Sequence, residues 1–414
     1  MKKKSFKKIL ESVLFKFWIM KQMTAGLFVV MAIVLFSCNE IKLEQPENLD
    51  YFMKFYGNFH NDQLSDVVVS GNENIILTGY REVVGESDEA WIIKTDKNGM
   101  VDWEKKLSGV NNFRGYGLFV DENIYYVGYE QVQGATSQRG FLYQYSMAGK
   151  LIDSVSFNIE AETVKDMKFL NEGVNMRFLA HVNKNSQDEV LIYEISQRNA
   201  VNLVSANRLF KVIEGRLYFY ERDNGNIYFS GSIDETGTDE NTDILVSCLE
   251  SDNFIWSYIY GEEGVSEKAA GIVYKDDFLF LGGTKMKTNQ ATGSAYILKL
   301  DNTGQEIGQN GVSLGDNSLV HDFKLHNDNE FVFTGKKVID SKNSKIFLVR
   351  TSLRGAVKVE KDYGEKGLSE GRYIRDLPGG RGFVIAGNVS TSGVNTEAND
   401  VLVIKVNEEG EWIY

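Results

Sequence analysis

Residues 75–80, IILTGY, form a short apolar run that ends near a glycine, and runs of the same kind return six more times along the chain. Their marker residues, six glycines and Ala180, are separated by 49, 52, 51, 51, 53 and 52 residues. The seven runs are IILTGY (75–80), IYYVGY (124–129), MRFLAHV (176–182), IYFSGS (227–232), LFLGGT (279–284), FVFTGK (331–336) and FVIAGN (383–388). A repeat of this size, built from short strands and turns, predicts a β-propeller.

Each repeat has room for four strands. In the first repeat the strand-like runs cover residues 64–70, 75–80, 91–95 and 101–107, and the turn DKNG separates the last two. The runs are rich in β-branched and aromatic residues, whereas Gly, Asn and Asp lie between them. Helical spacing is not sustained anywhere. The sequence therefore predicts an all-β domain at 50–414, made of seven four-stranded antiparallel blades.

The last repeat lacks its fourth strand, because only four residues follow Gly410. Fourth strands in other repeats end in an aromatic residue and a glycine, as in WSYIYG (256–261) and VEKDYG (359–364). The segment FMKFYG (52–57) has the same pattern and precedes the first repeat. We therefore expect the N-terminal strand to complete the seventh blade, which closes the ring and removes two exposed sheet edges.

The N-terminal residues predict export and a lipid anchor. Basic residues precede an apolar run of 12 residues at 25–36, which is short for a membrane span and typical of a secretory signal. The sequence LFSC at 35–38 resembles the lipobox of bacterial lipoproteins, in which the cysteine is lipidated and becomes the mature N-terminus. This resemblance implies a signal peptide at 1–37, a lipid on Cys38 and a polar tether at 38–49. A plain membrane anchor and a start at Met20 stay open as alternatives.

The blade pattern also resembles a known family. Residues 91–99 (WIIKTDKNG), 256–261 (WSYIYG), 296–304 (YILKLDNTG) and 383–387 (FVIAG) are similar to the propeller repeats of extracellular lipoproteins of Bacteroidota. The resemblance covers residues 50–414 and is weakest at about 157–207, where Ala180 replaces the glycine. It implies a location in the cell envelope at the outer membrane, and it implies no reaction, because the family shares architecture and location more than activity.

Composition excludes several classes of function. Without residues 1–37 the chain has 38 basic and 57 acidic residues, and the resulting charge of −19 repels nucleic acid. Two cysteines cannot build a disulfide framework or a cysteine-based zinc site, and four histidines make a multi-histidine metal site improbable. We predict no metal and no cofactor, with calcium at the acidic run 234–243 (DETGTDENTD) as the one alternative left open.

Five ionisable residues lie near the predicted starts of the first strands, and we place them in the loops that lead into the channel mouth. They are Asp62, Arg114, Glu267, His321 and Glu370, from blades 1, 2, 5, 6 and 7. Such an arc suits binding of a cation or a sugar, or acid–base chemistry. Recurring polar residues are more simply explained as ties between neighbouring blades, so we predict no catalytic residue and treat the five as candidates for binding.

Three functions fit these observations. The first is an envelope-anchored binding or scaffolding module for a protein or a glycan. The second is a propeller enzyme, a hydrolase or lyase acting on extracellular polysaccharide through the acidic residues and histidine of the channel mouth. The third is a subunit of an outer-membrane machine that makes its contact through blade 3. We predict the first, because no combination of residues breaks the repeat as an active site would.

Overall fold

Seven four-stranded antiparallel sheets make up the structure, a computed structural model. It describes residues 51–57, 61–83, 85–170, 176–196, 200–209, 211–222, 224–234, 242–251, 253–287, 293–312, 317–364, 367–390 and 399–412. These residues form 28 strands and one short 3-10 turn, Pro378–Gly380. The seven-bladed β-propeller predicted from the repeat is confirmed. The signal peptide, the tether, Cys38 and most of the acidic run lie outside the described residues.

Six blades take their four strands in chain order, and blade 7 takes its fourth strand from the N-terminus. The N-terminal strand β1 (Phe52–Tyr56) precedes blade 1, which contains β2 (Asn61–Val69), β3 (Ile75–Glu82), β4 (Glu89–Thr95) and β5 (Val101–Leu107); blade 2 contains β6 (Asn112–Val120), β7 (Asn123–Gln131), β8 (Gln138–Ser146) and β9 (Leu151–Ile159). Blade 3 contains β10 (Thr163–Phe169), β11 (Met176–Lys184), β12 (Gln187–Ile195) and β13 (Val201–Arg208); blade 4 contains β14 (Ile213–Glu221), β15 (Ile227–Asp234), β16 (Thr242–Glu250) and β17 (Asn253–Tyr260); blade 5 contains β18 (Val265–Lys275), β19 (Phe278–Lys287), β20 (Ser294–Asp301) and β21 (Glu306–Val312). Blade 6 contains β22 (Ser318–His326), β23 (Glu330–Val338), β24 (Ser344–Ser352) and β25 (Val357–Tyr363), and blade 7 contains β26 (Leu368–Asp376), β27 (Gly382–Ser390) and β28 (Asp400–Asn407).

The first strand of each blade is innermost and lies beside the first strands of the neighbouring blades. These strands surround the central channel. We call the face where they begin the upper face, and the face that carries the hairpins between third and fourth strands the lower face. Apolar side chains fill the seams between blades, and one such core joins blades 7 and 1. No helix in the described ranges has the length and hydropathy needed to cross a membrane.

The N-terminal strand closes the ring, as predicted. β1 pairs with β28 in antiparallel register, with Phe52 opposite Lys405 and Tyr56 opposite Val401. The ammonium of Lys405, only 1% exposed, donates to a carboxylate oxygen of Glu73 over 2.7 Å. The hydroxyl of Tyr56 donates to the carbonyl oxygen of Gly99 over 2.8 Å. Both bonds join blade 7 to blade 1.

The marker glycine lies opposite a β-bulge in the innermost strand. A Cβ atom on Gly335 would come within 1.9 Å of the carbonyl oxygen of Leu319 and 3.0 Å of the Phe347 ring. The same cross-strand pairing of glycine with an aromatic residue occurs at Gly79 and Trp91. Glycine is therefore required because a carbonyl group and an aromatic ring occupy the space of a side chain.

The marker chosen in blade 3 is wrong by two residues. In blade 3 the residue just before the bulge pairs with Val182, so Val182 corresponds to the marker glycines of other blades. The pattern of apolar residues in the sequence indicated Ala180 instead. The apolar run MRFLAHV extends past the bulge, so aligning apolar runs shifted the register.

The aromatic–glycine ending of the fourth strands is explained by bonds between blades. The hydroxyl of Tyr363 donates to the carbonyl oxygen of Gly410 in the next blade over 2.8 Å. Tyr260 makes the equivalent bond to Gly304, as Tyr56 does to Gly99. The turn glycine and the fourth-strand tyrosine of adjacent repeats are therefore two ends of one contact.

We predict that Gly335→Ala lowers the free energy of unfolding by about 1–3 kcal/mol, since the new methyl group overlaps the Leu319 carbonyl. The matched control is Gly308→Ala, because a Cβ there meets no atom within 4 Å. The control should stay within about 0.5 kcal/mol of wild type in chemical denaturation. Equal effects of the two substitutions would contradict this account of the marker glycine.

Candidate functional site

All five candidate residues lie on innermost strands. The strands that carry them are β2, β6, β18, β22 and β26, for Asp62, Arg114, Glu267, His321 and Glu370 respectively. The prediction that they lie in loops is wrong, because the strands begin earlier than the first apolar residue. Strand β2, for example, starts at Asn61 and not at residue 64.

Two of the candidates form equivalent pairs within their own blades. Asp62 is opposite Arg81, with Oδ1 and Nε 2.9 Å apart. Glu267 is opposite Lys285, with Oε1 and Nζ 3.5 Å apart. Asp62 and Glu267 are both buried. Each pair ties the beginning of the first strand to the end of the second.

A third candidate, Arg114, connects two blades. Its guanidinium bonds to the carboxylate of Asp88 in blade 1 over 2.7 Å and lies 4.5 Å from the ring centre of Tyr80. The arrangement combines a charge-assisted hydrogen bond with a cation–π contact. Arg114 therefore has a structural role at the seam of blades 1 and 2.

The structure brings His321 and Glu370 together across the seam of blades 6 and 7. Nδ1 of His321 lies 3.2 Å from the carbonyl oxygen of Gly371, and Glu370 pairs with Arg372 over 3.4 Å. Burial lowers the pKa of His321 to about 4, an effect that the Glu370 carboxylate opposes and Arg372 supports. His321 is consequently neutral at pH 7. Within the described residues, no three His, Cys, Asp or Glu side chains are arranged to hold a metal ion.

The upper part of the channel contains a cavity, which we call the mouth cavity. Its volume is about 250 Å³, and its walls include Gln63, Tyr80, Tyr116, Lys165, Asp166 and Arg372. The rings of Tyr80 and Tyr116 lie 6.4 Å apart. The mouth cavity therefore combines aromatic faces with charged and amide groups.

Blade 4 partly fills the middle of the channel. Its strand β14 is irregular, because the residues between Glu214 and Tyr218 have no regular partners on β15. Arg216, in this irregular part, lies 4.1 Å from the ring centre of Tyr373 and donates to the carbonyl oxygen of Arg372 over 3.0 Å. Arg216 and Tyr373 line the mouth cavity and also a second cavity below it. They form a partition across the channel.

The second cavity, here the lower cavity, has a volume of about 390 Å³. Its walls include Val68, Phe119, Phe169, Phe219, Lys324 and Arg375. These residues come from six different parts of the chain, so their meeting depends on the closed ring. Sequence reasoning missed this cavity because each residue looks like an ordinary member of its strand.

Aspartates beside the bulges form a second set of ties between blades. Asp66 accepts a hydrogen bond from the backbone amide of Leu118 in blade 2 over 3.1 Å. Asp322 accepts the equivalent bond from Ile374 in blade 7 over 2.8 Å. Arg375 contacts both carboxylates, at 3.2 and 2.9 Å. A signal existed in the sequence: both aspartates lie 13 residues before a marker glycine.

Blade 3 contains a buried charged network around Asp188. Asp188 accepts from Nζ of Lys165, from the backbone amide of Ile213 and from Nε2 of His181, each over 2.8 Å. Although burial opposes ionisation, the bonds from His181 and Lys165 hold the pKa of Asp188 well below its usual range. The network ties blade 3 to blade 4.

No protein-family model matches the chain, and no curated protein matches it. Solved structures resemble it at low identity. A protein of unknown function from Dyadobacter fermentans DSM 18053 has 9% identity and a TM-score of 0.48, with 86% of this chain and 98% of that chain covered. A neuraminidase-like protein from A/bat/Guatemala/164/2009 has 8% identity and a TM-score of 0.45, covering 73% and 91%. The WD40 domain of SCAP from fission yeast has 10% identity and a TM-score of 0.42, covering 89% and 100%. Likenesses at this level carry no argument about activity or ligand.

Glu267 gives a prediction about pH. Burial raises the pKa of Glu267 from 4.5 to about 7, although Lys285 opposes this effect. Between pH 4.5 and about 7, Glu267 therefore binds a proton in the folded protein that it does not bind in the unfolded chain. The free energy of unfolding consequently falls as the pH rises through this range. Glu267→Gln resembles the protonated form, so at pH 8 it should be more stable than wild type by about 2 kcal/mol, with little difference at pH 4.5.

The equivalent substitution in blade 1 is the comparison. Asp62→Asn removes the buried partner of Arg81 and should lower the free energy of unfolding by about 3 kcal/mol at pH 8. Urea denaturation across the pH range measures both variants. If Glu267→Gln is instead destabilised at pH 8 to the same extent as Asp62→Asn, then Glu267 acts as an ionised structural partner of Lys285, which contradicts the prediction.

Proposed function

We propose that the chain is a lipoprotein of the cell envelope, anchored at the outer membrane through Cys38, whose propeller binds a protein or glycan partner. The observation that carries this proposal is the mouth cavity, which opens among aromatic and charged side chains at the upper part of the channel. Propellers are rigid platforms whose loops and channel mouths can vary without loss of the fold.

The mouth cavity suits recognition of polar, extended ligands. Tyr80 and Tyr116 contribute aromatic groups to the cavity wall, against which the C–H groups of a sugar or an apolar side chain can pack. Arg372 and Gln63 offer hydrogen bonds, and the guanidinium of Arg372 has three long contacts, each of 3.4 Å, to the side chains of Gln63, Asn388 and Glu370. A ligand could therefore replace these internal contacts with stronger ones.

The positions of the five candidate residues favour binding over catalysis. Glu267 lies 3.5 Å from Lys285, whereas Asp62 and Arg114 are held in ion pairs with Arg81 and Asp88. Groups held in this way maintain blade geometry and are poorly placed to transfer protons. His321 and Glu370 are the two candidates that lie near the mouth cavity's Arg372.

We predict that Arg372→Ala weakens recovery of the partner from solubilised envelope membranes by about tenfold, because it removes a cationic hydrogen-bond donor from the mouth cavity. Arg354→Ala is the matched control, since Arg354 is exposed in the hairpin between β24 and β25 on the lower face. The measurement is quantitative pull-down of the lipidated full-length protein and, for glycans, binding to an array. Equal recovery with both variants would reject the mouth cavity as the contact.

The anchor gives a separate prediction. Cys38→Ser should move the protein from the detergent phase to the aqueous phase in Triton X-114 partition, because no lipid can be attached. Cys248→Ser is the control: this thiol is 1% exposed within blade 4, and burial raises its pKa to about 11. Retention of Cys38→Ser in the detergent phase would favour the plain membrane anchor.

A further inference from the structure

The lower cavity is lined by two cations that form no direct ion pair with a carboxylate of the described residues. Lys324 makes neither a hydrogen bond nor an ion pair with any other described residue. Arg216 makes one hydrogen bond, to the carbonyl oxygen of Arg372, and no ion pair with a described carboxylate. The carboxylate of Asp322 stabilises both charges without contacting either directly. A bound anion would add a direct ion pair that neither cation has among the described residues.

The carboxylates that line this cavity are occupied by other donors. Asp66 and Asp322 each accept a hydrogen bond from a neighbouring blade's backbone and pair with Arg375. Asp376 Oδ1 lies 2.5 Å from Nδ1 of His326. The lower cavity therefore retains cationic character although the domain as a whole is acidic.

Lys324 is held in an environment that disfavours its charge. Burial lowers the pKa of Lys324; Asp322 opposes this effect, and the positive charge of Arg375 adds to it. A bound anion would reverse this balance and stabilise the ammonium. The geometry and the charge thus both favour an anionic ligand in the lower cavity.

Much of the remaining cavity wall is apolar, although Lys168, which pairs with Asp66, and two tyrosines also line it. The rings of Phe119, Phe169 and Phe219 line it, together with Val68 and Ile272. A volume of about 390 Å³ lies at the small end of ligand pockets, which begin near 300 Å³. Inorganic phosphate or sulfate would leave these rings in contact with water, whereas a ligand with an apolar body would cover them.

We propose that the lower cavity binds a small amphipathic carboxylate, whose carboxylate group contacts Lys324 and Arg216 and whose apolar body packs against the phenylalanine rings. This site goes beyond the proposed function, because it lies on the other side of the partition formed by Arg216 and Tyr373 from the mouth cavity. Loss of partner binding at the mouth cavity and loss of carboxylate binding here are separate measurements.

The test uses phenylacetate as the probe, titrated into the purified protein and followed by calorimetry and by ligand-observed NMR. Two related compounds separate the contributions: phenylacetamide has the ring without the charge, and acetate has the charge without the ring. We expect saturable binding of phenylacetate, with affinities for the amide and for acetate about 10- to 100-fold weaker.

Three lysine variants then locate the site. Lys324→Met removes the charge and keeps the aliphatic stem, and it should weaken phenylacetate binding by about 10- to 100-fold. Lys324→Arg keeps a cation and should retain most of the affinity. The control is Lys268→Met, which removes an exposed lysine from another innermost strand, outside the lower cavity.

Melting temperature distinguishes a ligand-binding lysine from a structural one. Without ligand, Lys324→Met should melt at the same temperature as wild type or slightly above, because it removes a desolvated charge. A marked fall would show that Lys324 is needed for the fold. The proposal is overturned by that result, by absence of saturable phenylacetate binding, by equal binding of acid and amide, or by unchanged affinity in Lys324→Met.

Discussion

Closure of the ring by β1 and β28 is the constraint on which the other features depend. Residues 52–56 pair with residues 401–405, so the two ends of the propeller meet in one sheet. The buried pair of Lys405 and Glu73 adds a charge-assisted bond at this seam. Contacts of such sequence separation form late in folding, because the entropy of closing a long loop must be overcome first. Both channel cavities exist only after this step.

Once the ring is closed, repeated polar contacts hold adjacent blades in position. Tyr363 bonds to the hairpin of the next blade, and Asp66 and Asp322 bond to the innermost strand of the next blade. Each contact satisfies a backbone group that the blade's own sheet leaves unpaired. Polar residues that recur with the repeat are thus used for structure. Arg216, in the irregular part of β14, departs from this pattern.

The sequence predicted the features that depend on local pattern. The marker glycines, such as Gly335, indicated positions where the second strand lies opposite a bulge and next to an aromatic ring. The segment 52–57 predicted closure of the ring because it is similar to other fourth strands. Placing Asp62 in a loop was wrong because polar residues are tolerated at the start of an innermost strand, where they pair across the sheet. The lower cavity could not be predicted, since Phe119 and Lys324 come from blades 2 and 6 and meet only through the curvature of the whole ring.

Arg216, in the irregular first strand of blade 4, lines both the mouth cavity and the lower cavity. Arg216 is held by the Tyr373 ring and the Arg372 carbonyl, which offset the cost of burying its charge. Tyr373 also contacts both cavities. An anion bound in the lower cavity would attract the Arg216 guanidinium and weaken its contact with the mouth cavity. A ligand that binds the guanidinium in the mouth cavity would in turn reduce the positive charge in the lower cavity. Because such coupling is reciprocal, the effect of carboxylate on partner affinity must equal the effect of partner on carboxylate affinity. A regular first strand in blade 4 would place no guanidinium between the cavities, so the irregularity of β14 is what connects them.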